Sequence, residues 1–533
     1  MKRRDLIKAG TAMAAGFLFV GVVQGVQINP ESDETRKTPN LLFIHTDELR
    51  ADMLSAYGDY SVIMPNINRL AETSYIFENC YVTSPVCTPS RASMMTGLFP
   101  TATGAFMNNV PLDKDCKCLP ELLPKDAGEM YKAAYHGKWH LGDEIFAQHG
   151  FDEWVGIEDF YTDHYSEGNS ENERSAYHHW LVEMGFKPDP KNNKFSRPMA
   201  AHLPEDFTKA SFLAKTATEY IAANKDNPFI LYVSFLEPHM PFHGPLTDLY
   251  DPFEIKLPDN FDADITEEDI LRVRIMAESF RKNGDEQYDL STEAGWRQLI
   301  AAYRGLCTLV DRNVGKILQS LKDNGLEENT IIVFTSDHGD MMGSHKLAHK
   351  TLFYKESATV PYLLHLPGQT ESYRVRGLSS NIDVTPTLID AMGFEVPESL
   401  HGKSLYPLLQ ESDFTLKDDV FLQWNDTQEY WRNIQKTVGL GSMKWKTDMA
   451  GGEDEWIECH NEELRTIVTN DGWRFTVSPL TKEHELFNLI DDPQERKNLA
   501  KDEKYKEIMA VLLEKIKRWQ QEIGDELELP STL

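Results

Sequence analysis

Cysteine is scarce in this chain of 533 residues: there are six, at positions 80, 87, 116, 118, 307 and 459. So few exclude a disulfide-built scaffold. Cys116-Lys-Cys118 lacks a second pair and reads as ordinary core or loop cysteine. Basic residues are outnumbered, with 54 Lys and Arg against 85 Asp and Glu and a formal net charge of −31. A nucleic-acid binder needs a basic face to meet phosphate, so that class is excluded. Beyond the N-terminus no run is long and apolar enough to span a membrane, and there is no repeat or low-complexity tract.

What is present begins with Met1-Lys-Arg-Arg-Asp-Leu-Ile-Lys8 and an apolar stretch from Ala9 to Val23. A basic start followed by a short apolar core describes an export signal, here similar to the twin-arginine type. The stretch is short for a span of about 20 residues and contains several glycines. Residues 1–28 are therefore assigned to a signal, and the protein is expected to be exported, periplasmic or secreted, with no stable membrane span. No Cys follows the run to take a lipid.

Apolar, β-branched runs then alternate with helix-like segments. Leu41 to His45, Tyr131 to His136, Phe229 to Phe235 and Ile331 to Ser336 read as buried strands. Ile67 to Thr73, Ser211 to Ala223, Trp296 to Asn324 and Val384 to Met392 read as helices. The pattern predicts an α/β domain over residues 39–402, a large, mostly parallel mixed sheet flanked by helices. Two polar stretches, Phe160 to Glu205 and Leu246 to Gln298, read as long insertions, either recognition loops or passive surface. In the first, His164, Arg174, His178 and His179 are candidate sugar contacts. Residues 403–533 predict a smaller α+β subdomain with an antiparallel sheet. There Leu464 to Val468 and Trp473 to Val477 flank the hairpin signal Thr469-Asn-Asp-Gly472, and a helix runs from about Lys504 to Ile523.

Each buried run ends in polar residues: Asp47-Glu48, Lys138-Trp-His140, Glu237-Pro-His239 and Asp337-His338-Gly-Asp340. Open parallel sheets bind ligands at the carboxyl ends of their strands, so four such endings predict one site. Lys138 and His140, two apart in extended chain, point to the same side. A fifth segment, Cys87-Thr-Pro-Ser-Arg-Ala-Ser-Met-Met-Thr-Gly97, predicts a helix capped by Thr88, with Pro89 first and Gly97 ending it. Cys87 then sits at a helix N-terminus, where free N–H groups favour an anion, with Arg91 close by as a forked donor. On these grounds alone Cys87 is a candidate thiolate nucleophile.

Cys87-Thr88-Pro89-Ser90-Arg91 resembles the C-x-P-S-R signature of type I sulfatases, members of the alkaline-phosphatase-like superfamily. Gly137-Lys-Trp-His-Leu-Gly142 resembles the second signature of that family, and Glu485-Leu-Phe-Asn-Leu489 with Asp491-Asp-Pro493 its C-terminal motif. Asp47, His239 and Asp337-His338 fall in the family order. The resemblance implies that a formylglycine-generating enzyme or anaerobic maturase converts Cys87 to formylglycine, whose hydrate attacks sulfur with one hydroxyl and releases sulfate through the other. It implies a metal held by Asp47, Glu48, Cys87, Asp337 and His338. Oxygen-rich donors suit calcium, with magnesium the alternative. Glu48 and His338 depart from the commonest family residues, and His is an unusual calcium ligand. Arg91, Lys138 and Lys350 would clamp the reacting oxygens. His140 would take a proton during release, and His239, with Lys350 as competitor, would serve the leaving oxygen.

The implied activity is hydrolysis of a sulfate ester, in a glycosaminoglycan or an algal glycan such as ulvan. A phosphate or phosphonate monoester hydrolase on the same scaffold is the alternative, as is a non-catalytic glycan-binding relative should Cys87 stay unmodified.

Overall fold

The computed structural model describes residues 38–58, 61–263, 265–410, 417–425 and 444–532. The signal expected at residues 1–28 lies outside them. No helix among the described residues is long and apolar enough to cross a membrane.

Nine strands form the main sheet: β1 (Asn40–Asp47), β2 (Tyr75–Tyr81), β3 (Lys132–Gly137), β4 (Glu153–Gly156), β5 (Phe229–Pro238), β6 (Thr330–Ser336), β7 (Thr359–Val360), β8 (Tyr362–His365) and β9 (Tyr373–Ser380). Their order is β4-β3-β5-β1-β6-β8-β2-β7, with β9 paired to β2. The first five are parallel, while β8 runs antiparallel to β6 and β2 antiparallel to β8. The sheet is thus mixed, as expected, and the four sequence-read strands are its centre.

Alternation along β1 divides the core. Leu42 and Ile44 face helices Lys209–Ala223 and Glu293–Asp323, whereas Leu41 and Phe43 face helices Cys87–Thr96 and Val384–Ala391. Both faces are covered, so the central strands are buried throughout and their sequences are continuously apolar. Register then places the chemistry. Leu41 opposes Ile230 and Ile331, and His45 opposes Ser234 and Thr335, so the carboxyl ends of β5, β1 and β6 finish together.

A second, antiparallel sheet comprises β10 (Asp419–Trp424), β11 (Leu464–Thr469), β12 (Trp473–Val477) and β13 (Glu485–Asn488). Helix Lys506–Ile523 buries Leu512, Leu513, Ile516 and Trp519 against Ile467, Phe475 and Val477 of this sheet. Buried Arg474 pairs with Glu495 and, at 3.2 Å, with Glu485. The other oxygen of Glu495 accepts from the Lys355 N–H at 2.8 Å, which ties this unit to the loop beyond Lys350.

Candidate active site

The Cys87 helix spans Cys87–Thr96 and ends at Gly97, whose φ of 74° is the left-handed cap predicted. Its start differs from the reading: Cys87 is the first helical residue and Val86 the cap. Thr88 does not cap. Its hydroxyl donates to the His140 carbonyl at 2.8 Å and its N–H donates to Asn108 at 3.0 Å, binding the helix to the loop after β3.

Around Cys87 the strand ends deliver four donors to one point. Asp47, Cys87, Asp337 and His338, all buried, place a ligand atom each within 4.8 Å of one another. The Cys87 sulfur lies 3.2 Å from His338 Nε2 and 3.7 Å from Asp47 Oδ1. The Asp337 Oδ1 atom also accepts from the His338 N–H at 2.9 Å and the Glu48 N–H at 3.1 Å. His338 Nδ1 donates to the Gly339 carbonyl at 2.8 Å, which leaves Nε2 to face the cluster. Burial opposes charge on His338, but Asp337 and Cys87 outweigh it and raise its pKa to about 10. Two carboxylates and an imidazole aimed at one small volume fit a divalent cation, and the preference of His338 for a proton shows the negative field that a cation would answer.

Arg91, expected to clamp the reacting oxygens, is bonded to both carboxylates of the donor group. Its Nε donates to Asp337 at 2.7 Å, Nη2 to Asp47 at 2.9 Å, and Nη1 to the Lys138 carbonyl at 2.8 Å and Ser234 at 2.9 Å. It is fully buried and fixes the two carboxylates in place. Lys138 Nζ stands 2.5 Å from Asp47 Oδ2 and 3.9 Å from the Cys87 sulfur. Burial opposes its charge, yet Asp47 and Cys87 hold its pKa above the usual lysine value.

Glu48, expected in the ligand set, has a φ of 72°. Lys350 Nζ donates to its Oε2 at 2.7 Å, and His239 Nε2 lies 3.5 Å from the same atom. Among described residues it groups with Asp47 and His239 and with Asp340 and His349, not with Cys87 and His338. A buried carboxylate is held by its nearest cation, here Lys350. Against burial, Lys350 and His239 keep the Glu48 carboxyl well below the usual range.

His140 is buried, has a φ of 60° and stacks on Tyr161 with ring centres 4.2 Å apart. Its Nε2 contacts the Asn109 side-chain oxygen at 2.9 Å, and its Nδ1 has no hydrogen-bond partner. Burial, Lys138 and Arg91 push its pKa well down, so the ring is neutral, with Nε2 donating and Nδ1 a free acceptor. His239 Nδ1 meets the Met240 carbonyl at 2.7 Å, and burial and Lys350 likewise keep this ring neutral.

Sequence reasoning missed two residues here. Glu144, buried, accepts from the N–H groups of Trp139 at 2.9 Å and His140 at 2.6 Å and so fixes the turn carrying Lys138 and His140. Arg197, bonded to Glu158 at 2.6 Å and the Tyr161 hydroxyl at 2.7 Å, adds its charge to the field at His140. Neither shows a sequence signal beyond its residue type. Two of the four polar residues flagged in the first insertion are bonded within the loop itself: His178 pairs with Asp159 at 2.8 Å, and Arg174 donates to the carbonyls of Asn193, Glu171 and Glu173. Lys138, Arg197 and Lys350, with the cation that the donor group fits, also answer how a chain of net charge −31 could host an anion. The positive groups are local and desolvated, and the excess carboxylates are distant and screened.

Residues 39–394 match the model of the family described as Sulfatase, and residues 343–456 match N-sulphoglucosamine sulphohydrolase, C-terminal. An ulvan-active sulfatase of Formosa agariphila is 29% identical over 417 residues, covering 75% of this chain and 71% of the relative. An N-acetylglucosamine-6-O-sulfatase of Bacteroides thetaiotaomicron is 26% identical over 548 residues, covering 94% and 90%. Among solved structures, a phosphonate monoester hydrolase of Agrobacterium radiobacter superposes with a TM-score of 0.69 at 23% identity, covering 91% of this chain and 96% of that one.

Proposed function

The chain belongs to the sulfatase family, and from that premise we propose that it removes sulfate from a sulfated glycan or oligosaccharide, using a formylglycine made from Cys87 beside a bound calcium ion. Sulfuric ester hydrolysis itself follows from the family. The observation that carries the finer reading is the convergence of Asp47, Cys87, Asp337 and His338 within 4.8 Å, bordered by Lys138. Calcium held by these side chains would neutralise sulfate charge and polarise the ester. A hydrated aldehyde at Cys87 would supply the nucleophile.

The remaining tasks fall to the protein. Arg91 fixes both carboxylates, and Lys138 and Lys350 hold anionic oxygens. His140, neutral and with Nδ1 free, accepts a proton. His239 and Lys350 serve the leaving oxygen. Glu48 acts from outside the principal donor group by holding Lys350. A saccharide substrate is supported by the printed activities of the ulvan-active and N-acetylglucosamine-6-O relatives. Export, read from residues 1–28, and a maturase acting on Cys87 belong to the same proposal.

The test is sulfate release from p-nitrophenyl sulfate and a panel of sulfated oligosaccharides by protein made with a maturase, alongside the matched phosphate and phosphonate esters. Sulfate turnover, its loss in Cys87→Ala and a Cys87 peptide of aldehyde mass are expected. Preferential phosphonate turnover would establish the alternative that the shared scaffold with the Agrobacterium hydrolase keeps in view. Unchanged turnover in Cys87→Ala would overturn the assignment.

A further inference from the structure

Beside the reaction centre lies a second cleft, of about 330 Å³, that the chemistry above does not use. On one side it is lined by Val86, Asn108 and Thr351, neighbours in sequence or hydrogen bonding of Cys87, Thr88 and Lys350. Its opposite side comes from far along the chain: Trp424 and Asn425 at the end of β10, and Lys446 from helix Lys444–Ala450. Between them, helix Leu271–Asn283 of the second insertion contributes Arg272 and Phe280.

Two cations face this cleft without an acid. The Arg272 guanidinium lies over the Trp424 ring at 4.0 Å, and among the described residues it has no hydrogen bond or ion pair. The nearest acids are engaged elsewhere. Glu462 accepts from Ser478 and Thr481, and Glu485 pairs with Arg474. Burial lowers the Arg272 pKa to about 10, so the charge persists at neutral pH. Lys446, from the facing helix, has no carboxylate partner among the described residues and lies over Trp445.

An independent observation concerns Asn425. The residue is 4% exposed, and among the described residues neither its Nδ2 nor its Oδ1 has a partner. Trp424 Nε1 is likewise buried and, among the described residues, unpartnered. A buried amide left unmatched on both atoms costs stability unless something supplies a donor and an acceptor. Saccharide hydroxyls supply both, and a carboxylate or sulfate ester would answer the two cations.

We propose that this cleft is a subsite for a second anionic group, a carboxylate or a further sulfate, on the saccharide whose sulfate is cleaved. Arg272 and Lys446 bind that group, and Asn425 reads a neighbouring hydroxyl. The second insertion then has a purpose, because helix Leu271–Asn283 builds the wall that carries Arg272. This rests on the saccharide sulfatase reading and narrows it to acidic sulfated sugars.

The experiment has two arms. In matured enzyme, kcat/KM is compared for p-nitrophenyl sulfate, a sulfated disaccharide with a neutral partner sugar, the same disaccharide with a glucuronate partner, and its disulfated counterpart. Arg272→Met, which keeps apolar contact with Trp424, should lower kcat/KM by about 10- to 100-fold on the glucuronate or disulfated substrate, the size of a charged hydrogen bond. It should leave p-nitrophenyl sulfate within about 2-fold, and Arg272→Lys should restore part of the loss. Which acidic substrate suffers distinguishes carboxylate from sulfate. Equal loss on all substrates, or none on the acidic ones, overturns the proposal. The second arm measures calorimetric binding of the unsulfated glucuronate disaccharide and of the disulfated disaccharide to Cys87→Ala protein, alone and with Arg272→Met or Lys446→Ala. Weakened binding of either ligand in these variants supports the subsite, and binding of both that is unchanged or absent overturns it. This arm needs no turnover, so a chain that cleaves no sulfate ester refutes the sulfatase assignment separately.

Discussion

Lys138 Nζ and Asp47 Oδ2 meet at 2.5 Å with both side chains wholly shielded from solvent. The same oxygen accepts from Arg91 at 2.9 Å, so one carboxylate is held by two cations in a dry setting. Removing one partner of such a pair leaves an uncompensated buried charge. Lys138→Met should reduce kcat/KM by about 10²- to 10³-fold, as loss of one preorganised donor does. Arg91→Met should also lower Tm, with a stability loss of about 3–5 kcal/mol for a broken buried pair. Steady-state kinetics and thermal denaturation read the two effects.

The donor group predicts a response to metal. Chelator should abolish turnover and lower Tm, and calcium should restore both, since an ion at about 100 times its dissociation constant adds about 2.7 kcal/mol. Asp337→Asn should erase the thermal response. Glu48→Gln should keep most of it, because Glu48 lies outside the group that contains Cys87 and His338. If the two variants lose the response equally, Glu48 rejoins the ligand set.

Stability should fall in alkali through His349. Burial opposes its charge, but a hydrogen bond to Asp285 at 3.2 Å and the Glu48 carboxylate 3.7 Å away raise its pKa to about 10. An unfolded histidine titrates near 6.5, so the stabilisation is complete below about pH 6.5 and is lost as pH rises through 10. His349→Gln should therefore flatten the decline of Tm between those limits. An unchanged slope would show that another group governs it.

Proton delivery separates His239 from Lys350. Lys350 is held in its charged form by Glu48, whereas His239 is kept neutral by burial and by Lys350. Across aryl sulfates of increasingly poor leaving groups, Lys350→Met, which removes the charged proton donor, should show a growing deficit, up to about 10²- to 10⁴-fold. His239→Gln, which removes a neutral ring with its N–H already given to the Met240 carbonyl, should show a uniform one. The reverse pattern would assign proton delivery to His239.

The central strands and their polar endings were legible because both are local signals. A run such as Phe229 to Phe235, buried on two faces, must be apolar throughout, and its ending is where a parallel sheet places a ligand. Asp47, Lys138, His239 and Asp337 were found in this way. The pairing of Glu48 with Lys350 was not, because the two lie about three hundred residues apart in the chain. Thr88 looked like a cap from its neighbours alone, yet the loop from β3 claims its hydroxyl. Strands β8 and β9, beyond β6, escaped notice for a related reason: β8 is only Tyr362–His365, and β9 is partly exposed, so neither has a long apolar run. Arg272 and Trp424 meet across segments whose proximity only the fold creates.

Cys87 is 1% exposed, and every residue of its helix is buried. No other protein's catalytic pocket can close over a sulfur so enclosed. If Cys87 is converted as proposed, the converting enzyme must reach it while the stretch is still an extended peptide, which would set an order on biosynthesis: synthesis, then oxidation, then collapse. Under that proposal a molecule that folds too soon is sound in architecture and permanently inert.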